Sequence, residues 1–83
     1  MKSVVLLIAD WCPVCPGAKE LWDSLKKEYD FNYEVYDIAS EKGQQLAKEY
    51  GITGVPVTII DGKVVFTGTP DKESAIAAIQ NIF

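Results

Sequence analysis

Val4-Val5-Leu6-Leu7-Ile8-Ala9-Asp10-Trp11-Cys12-Pro13-Val14-Cys15-Pro16 is the stretch on which the fold turns. Its six apolar, partly β-branched opening residues suit a strand buried on both faces. Asp10 and Trp11 end the run, and the protein's two cysteines follow, separated by two residues. Beyond them Ala18, Leu21, Trp22, Leu25 and Tyr29 recur at helical spacing, while Lys19, Asp23, Lys26 and Lys27 take the other side. The spacing predicts a helix from Pro13 to Glu28, with Pro13 at its first position and Cys12 as N-cap. Pro16 lacks an N–H and restricts Cys15, so the first turn is expected to be distorted.

Working outward, Phe31, Tyr33 and Val35 alternate with Asn32 and Glu34, which predicts a second strand with one buried face, ending near Ile38. Strand, helix and strand form a βαβ unit, so the two strands should be parallel with a right-handed crossover. Ser40 reads as the N-cap of a second helix, Glu41 lies in its first turn, and Gly51 suits its C-terminal cap. Leu46, Ala47 and Tyr50 supply its apolar stripe, and Gly43 weakens it. Two further strands, Val57 to Ile60 and Val64 to Thr67, are joined through Asp61-Gly62, a type I′ hairpin signal. Gly68 marks a bend. Thr69 is expected to cap a last helix with Pro70 at its first position, and Ala75, Ile79 and Ile82 on one face, beside Ile76 and Phe83. The order β-α-β-α-β-β-α predicts an α/β fold with a four-stranded mixed sheet and helices on both faces.

Length and charge narrow the function. Eighty-three residues are expected to form one domain, spanning residues 1–83. With 48% apolar residues the chain can offset the ordering entropy that keeps polar chains unfolded. A net charge of −4 argues against a nucleic-acid binder, which needs a basic stripe, and against docking on an anionic membrane. The run from Val4 to Ala9 is shorter than a usual signal-peptide core and far too short to span a bilayer. A cytoplasmic monomer is expected, and in that compartment a lone C-x-x-C pair points to chemistry rather than to a structural staple.

At a helix mouth, Cys12 would be favoured as a thiolate by free backbone N–H groups, and Cys15 would lie deeper on the same face. Cys12 then attacks a disulfide, and Cys15 displaces the captured partner, a cycle that needs no metal or organic cofactor. Two readings compete. A zinc half-site needs two further ligands, and the chain has no histidine and no third cysteine. Two inert thiols would belong in the core rather than at a helix start. Trp11 is equally suited to packing and to substrate contact. Asp10 reads first as a solvated strand end and second as a proton-handling group beside the thiols. Pro56 by itself reads as trans, because cis X–Pro bonds are only about 5–6% of the total.

Trp11-Cys12-Pro13-Val14-Cys15 is similar to the active-site motif of the thioredoxin/glutaredoxin superfamily, and Tyr50-Gly51-Ile52-Thr53-Gly54-Val55-Pro56 resembles the thioredoxin segment that ends in a cis-proline. The resemblance covers essentially the whole chain. It implies a thioredoxin-like fold with the first and third strands central, and a cis Val55–Pro56 bond packed against the cysteine pair. It implies a thiol–disulfide oxidoreductase that reduces protein disulfides through catalytic Cys12 and Cys15, with Trp11, Pro13, Val14, Val55 and Pro56 contacting the substrate. The chain resembles glutaredoxins in size and in Pro13, and lacks the extra N-terminal strand and helix of thioredoxin. Gly68-Thr69-Pro70-Asp71 stands where glutaredoxins carry a Gly-Gly pair, which favours a thioredoxin-reductase-type electron donor over glutathione. Leu6 stands where thioredoxin has a buried aspartate, so the proton acceptor for Cys15 is unassigned. A glutathione-dependent glutaredoxin and a non-catalytic interaction module of the same fold are the alternatives.

Overall fold

The protein is described by a computed structural model in which residues 3–80 are placed. Seven elements follow in the expected order: β1 (Ser3–Ile8), α1 (Cys15–Glu28), β2 (Asn32–Asp37), α2 (Glu41–Tyr50), β3 (Val57–Ile60), β4 (Lys63–Thr67) and α3 (Lys72–Gln80). The sheet runs β2-β1-β3-β4, so β1 and β3 are central as the resemblance implied. β1 pairs in parallel with β2, from Ser3 opposite Asn32 to Ile8 opposite Asp37. It pairs antiparallel with β3, from Val4 opposite Ile60 to Leu7 opposite Val57. Its side chains alternate between two covered faces, Val4 and Leu6 toward one core and Leu7 toward the other, which explains why β1 is a continuous apolar run rather than an alternating one.

Each face of the sheet has its own core. Val4, Leu6 and Ile60 pack with Ala18, Trp22 and Leu25 of α1 and with Ala75 and Ala78 of α3. Leu7, Val57 and Ile59 pack on the other face, where Leu46 and Tyr50 of α2 cover them. Helices therefore cover both faces. Trp22 is fully buried at the centre of the first core, as its place on the apolar helix stripe predicts. Its indole Nε1–H donates to Thr58 Oγ1 at 3.1 Å, which satisfies the buried polar groups of both side chains. Phe31, just ahead of β2, meets the Trp22 ring edge to face at 6.1 Å.

Local signals account for most of the joints. Ser40 caps α2, its hydroxyl oxygen accepting from Gly43 N–H at 3.0 Å. Gly51 closes α2 in the left-handed region at φ 66°. Asp61 and Gly62 both have positive φ, 49° and 81°, which is the backbone that a type I′ hairpin requires.

Two helix starts differ from expectation. α1 opens at Cys15 with Val14, not Cys12, at the N-cap. The cause is Pro16. A helix capped by Cys12 needs its first internal hydrogen bond from the N–H of residue 16 to the Cys12 carbonyl, and proline has none to give. With Val14 as cap, Ala18 N–H donates to the Val14 carbonyl at 3.3 Å and Pro16 falls where no donor is needed. α3 likewise begins two residues later than Thr69 would place it. Ala75 N–H donates to the Asp71 carbonyl at 3.0 Å. A hydrogen bond from the Ser74 hydroxyl, joined by backbone N–H groups, holds the Asp71 carboxyl below its usual range. Asp71 is thus the residue that caps the helix, and Thr69 is free for another contact. Ile82 and Phe83 lie outside the described residues.

Gly43 was expected only to weaken α2. A Cβ at this position would drive into the Asp37 carbonyl group and come within 2.9 Å of Ile38 Cα. The glycine is what lets α2 turn back tightly on the end of β2. Among the described residues, no helix is long and apolar enough to cross a membrane.

Candidate active site

The site is assembled where β1 ends and β3 begins, and their antiparallel pairing puts these two points at the same end of the sheet. Ala9 follows β1, and its carbonyl accepts from Cys12 N–H at 3.1 Å, which turns the chain across the sheet end. The turn brings Cys12 back beside Cys15, with Cα atoms 5.4 Å apart, and the two are joined as a disulfide. From the other side, Val55–Pro56 enters β3 through a cis peptide bond. The default trans reading of Pro56 fails here, and the resemblance-based expectation holds. The Pro56 carbonyl accepts from Gly68 N–H at 2.8 Å, so the loop after β4 braces the cis peptide.

These pieces meet at the sulfur. Cys12 Sγ lies 3.7 Å from the Val55 carbonyl oxygen. Ala9, Cys12 and Cys15 form a small apolar cluster that Ile8, Ile38 and Val55 complete. Cys12 is more deeply set than a helix-capping cysteine would be, with 5% of its surface exposed against 2% for Cys15. Because Cys12 precedes α1 by three residues, it reaches the mouth of the helix by its disulfide turn rather than by capping it. The free amides at that mouth belong to Val14, Cys15 and Gly17, since Pro16 has none.

The rim is apolar and open. Trp11 is 72% exposed and Val14 52%, and Pro13 between the cysteines is exposed as well. Trp11 therefore does not pack in the core. Beside the cis peptide a groove of about 500 Å³ runs past Tyr50, Ile52, Val55, Pro56, Val64 and Gly68. Thr69, which sequence reasoning assigned to a helix cap, donates its hydroxyl to the Val14 carbonyl at 3.4 Å and ties the loop after β4 to the cysteine turn. The only signal for that role was the stronger capping residue two positions on. Among the described residues, no group of three or more His, Cys, Asp or Glu side chains is placed to hold a metal ion.

The family model described as Thioredoxin domain matches residues 2–80. This chain belongs to the thioredoxin family. It is 38% identical over 78 residues to a thioredoxin of Methanocaldococcus jannaschii, covering 94% of this chain and 92% of the relative. It is 39% identical over 79 residues to a probable thioredoxin of Methanothermobacter thermautotrophicus, covering 95% and 93% of the two chains. Among solved structures, a mutant thioredoxin of Halobacterium salinarum superimposes with a TM-score of 0.77 at 25% identity, covering 99% of this chain and 77% of that one. With two cysteines joined across a two-residue turn, in a thioredoxin fold, the protein is a thiol–disulfide oxidoreductase.

Proposed function

We propose that the protein reduces disulfides of other proteins, with Cys12 as attacking sulfur and Cys15 as resolving sulfur. The observation that carries this reading is the Val55 carbonyl standing 3.7 Å from Cys12 Sγ beside a cis Val55–Pro56 bond. An extended substrate segment can pair with the Val55 backbone as an added strand, which sets its disulfide in front of Cys12. Trp11, Pro13 and Val14 offer exposed apolar contact on one side, and the half-buried Val55 does so on the other, with the Pro56 ring buried behind it. Free amides at the start of α1 favour a thiolate in the reduced pair.

In the cycle, the Cys12 thiolate attacks one sulfur of the substrate disulfide, and the other sulfur leaves with the electron pair. Cys15 then attacks Cys12 Sγ, the bond from Cys12 to the substrate breaks, and the Cys12–Cys15 disulfide forms. Two electrons have passed to the substrate. A reductase of the thioredoxin-reductase type restores the dithiol. The Gly68-Thr69-Pro70-Asp71 sequence and the thioredoxin relatives support this donor over glutathione. The protein works as a monomeric, single-domain carrier in the cytoplasm, where an isolated reactive cysteine pair stays reducible.

The test uses a disulfide-bonded protein substrate with either thioredoxin reductase and NADPH or glutathione and its reductase. Cys12→Ser should abolish reduction, and Cys15→Ser should accumulate a mixed disulfide visible by mass spectrometry under non-reducing conditions. Turnover by Cys12→Ser at the native rate refutes the assigned roles. Support of turnover by glutathione alone refutes the donor.

A further inference from the structure

We propose that Asp10 accepts the proton of Cys15, through water in a side cavity, as Cys15 releases the substrate. This rests on the roles given above to Cys12 and Cys15. Cys15 is almost wholly buried among apolar neighbours, namely Ala9 with Ile8, Ile38 and Val55 around it. Ionising a thiol in such surroundings costs desolvation, so its proton has to be handed on as the sulfur attacks. Among the described residues no carboxylate is buried beneath it to take that proton. Among the described residues, the one buried polar side chain is Thr58, and it is already engaged by Trp22.

An opening exists on the flank. A cavity of about 250 Å³ is bounded by both cysteines, by Ala9 and Pro16, and by Asp10 and Lys19. A water occupies about 30 Å³ of liquid, so several fit, and the two charged side chains give them partners. Lys19 stands one helical turn beyond Cys15 on the same side of α1. Its ammonium group is paired with Asp23 Oδ2 at 2.8 Å. As a cation it has no lone pair with which to receive a proton. Asp10, exposed in the turn two residues after β1, is therefore the one base other than sulfur on the cavity wall. Asp23 is turned to Lys19, and Ile8, Ala9 and Pro16, which complete the cavity wall, are apolar.

The step balances. The Cys15 S–H bond breaks, and its proton passes through water to the Asp10 carboxylate. The sulfur electron pair forms the Cys15–Cys12 bond, the bond from Cys12 to the substrate breaks, and the substrate departs as a thiolate. The carboxylic acid of Asp10 then returns the proton to that thiolate or to solvent.

The experiment isolates this step in the full chain. Reduced protein reacts with Ellman's reagent, so that Cys12 carries one thionitrobenzoate. Release of that group by Cys15 is followed by stopped-flow absorbance from about pH 5 to pH 9, a range that brackets neutral proton transfer. Asp10→Asn should slow release by about tenfold or more near neutral pH, at the low end of what positioned acid–base groups contribute. The variant should converge with the native protein at high pH, where solvent ionises the thiol. Asp10→Glu should restore the native profile, and the first reaction at Cys12 should keep its rate in both variants. An Asp10→Asn profile that overlies the native one overturns the proposal and leaves the cysteine roles intact. Release by Cys15→Ser at the native rate overturns those roles themselves.

Discussion

Gly43→Ala is expected to destabilise the protein although it places a better helix former inside a helix. On propensity alone the substitution favours folding by up to about 1 kcal/mol. The new methyl group, however, would fall inside the Asp37 carbonyl and 2.9 Å from Ile38 Cα. That carbonyl cannot swing away freely, because it accepts from Ser40 N–H at 2.9 Å and from the Ser40 hydroxyl. Ser40 in turn caps α2 through Gly43 N–H. Relief therefore requires α2 to shift off the end of β2, and overpacking of this kind costs about 1–3 kcal/mol, with backbone obstacles at the upper end. The net expectation is a loss of about 2 kcal/mol. For a domain of this size that lowers the melting temperature by roughly 8–16 °C. Urea unfolding followed by circular dichroism should show the midpoint falling by about 1 M or more. A midpoint equal to or above that of the native protein would refute the close approach of α2 to β2.

Two further outcomes follow from the core and the last helix. Thr58→Val keeps the volume of the side chain and removes the acceptor for Trp22 Nε1–H, so unfolding free energy should fall by about 1–3 kcal/mol, while Thr58→Ser should keep the hydrogen bond and lose less. Asp71→Ala should lower stability at neutral pH. Because the native Asp71 carboxyl is held below its ordinary range, its contribution is present above about pH 3.9 and is lost as pH falls through the native value. Native and variant stabilities measured by urea titration should therefore differ at pH 7 and converge in strong acid. A gap that persists below that range would show that Asp71 acts by something other than its charge.

Where one local effect dominated, the residues announced the structure. The uninterrupted run from Val4 to Ala9 foretold a strand buried on both faces, and Asp61-Gly62 foretold the hairpin. Ser40 and Gly51 marked both ends of α2. Where two local signals competed, the outcome depended on a hydrogen-bond count that spacing does not reveal. Pro13 looked like a helix opening until the donor missing at Pro16 moved the start to Cys15. Thr69 looked like a cap until Asp71 offered a charged one. Gly43 and Cys12 show a third limit. Whether a glycine is a weakness or a clearance, and whether a sulfur is open or sunken, depends on partners far away in the chain. The cis bond at Pro56 belongs with these, since nothing in its own neighbourhood outweighs the trans preference.

The seam between β1 and β3 ends in Leu7 opposite Val57, next to Pro56 on one strand and a short turn away from Cys12 on the other. The Cys12 sulfur and the Val55 carbonyl stand 3.7 Å apart just beyond that seam, and on the proposed reading the guest chain has to adjust to the gap they define. A disulfide in a stretch that can straighten locally would be served quickly, and the same bond locked inside a rigid guest would wait for that guest to loosen. The choice of client would then be made by the client's own local unfolding, with this protein as the fixed gauge against which it is measured.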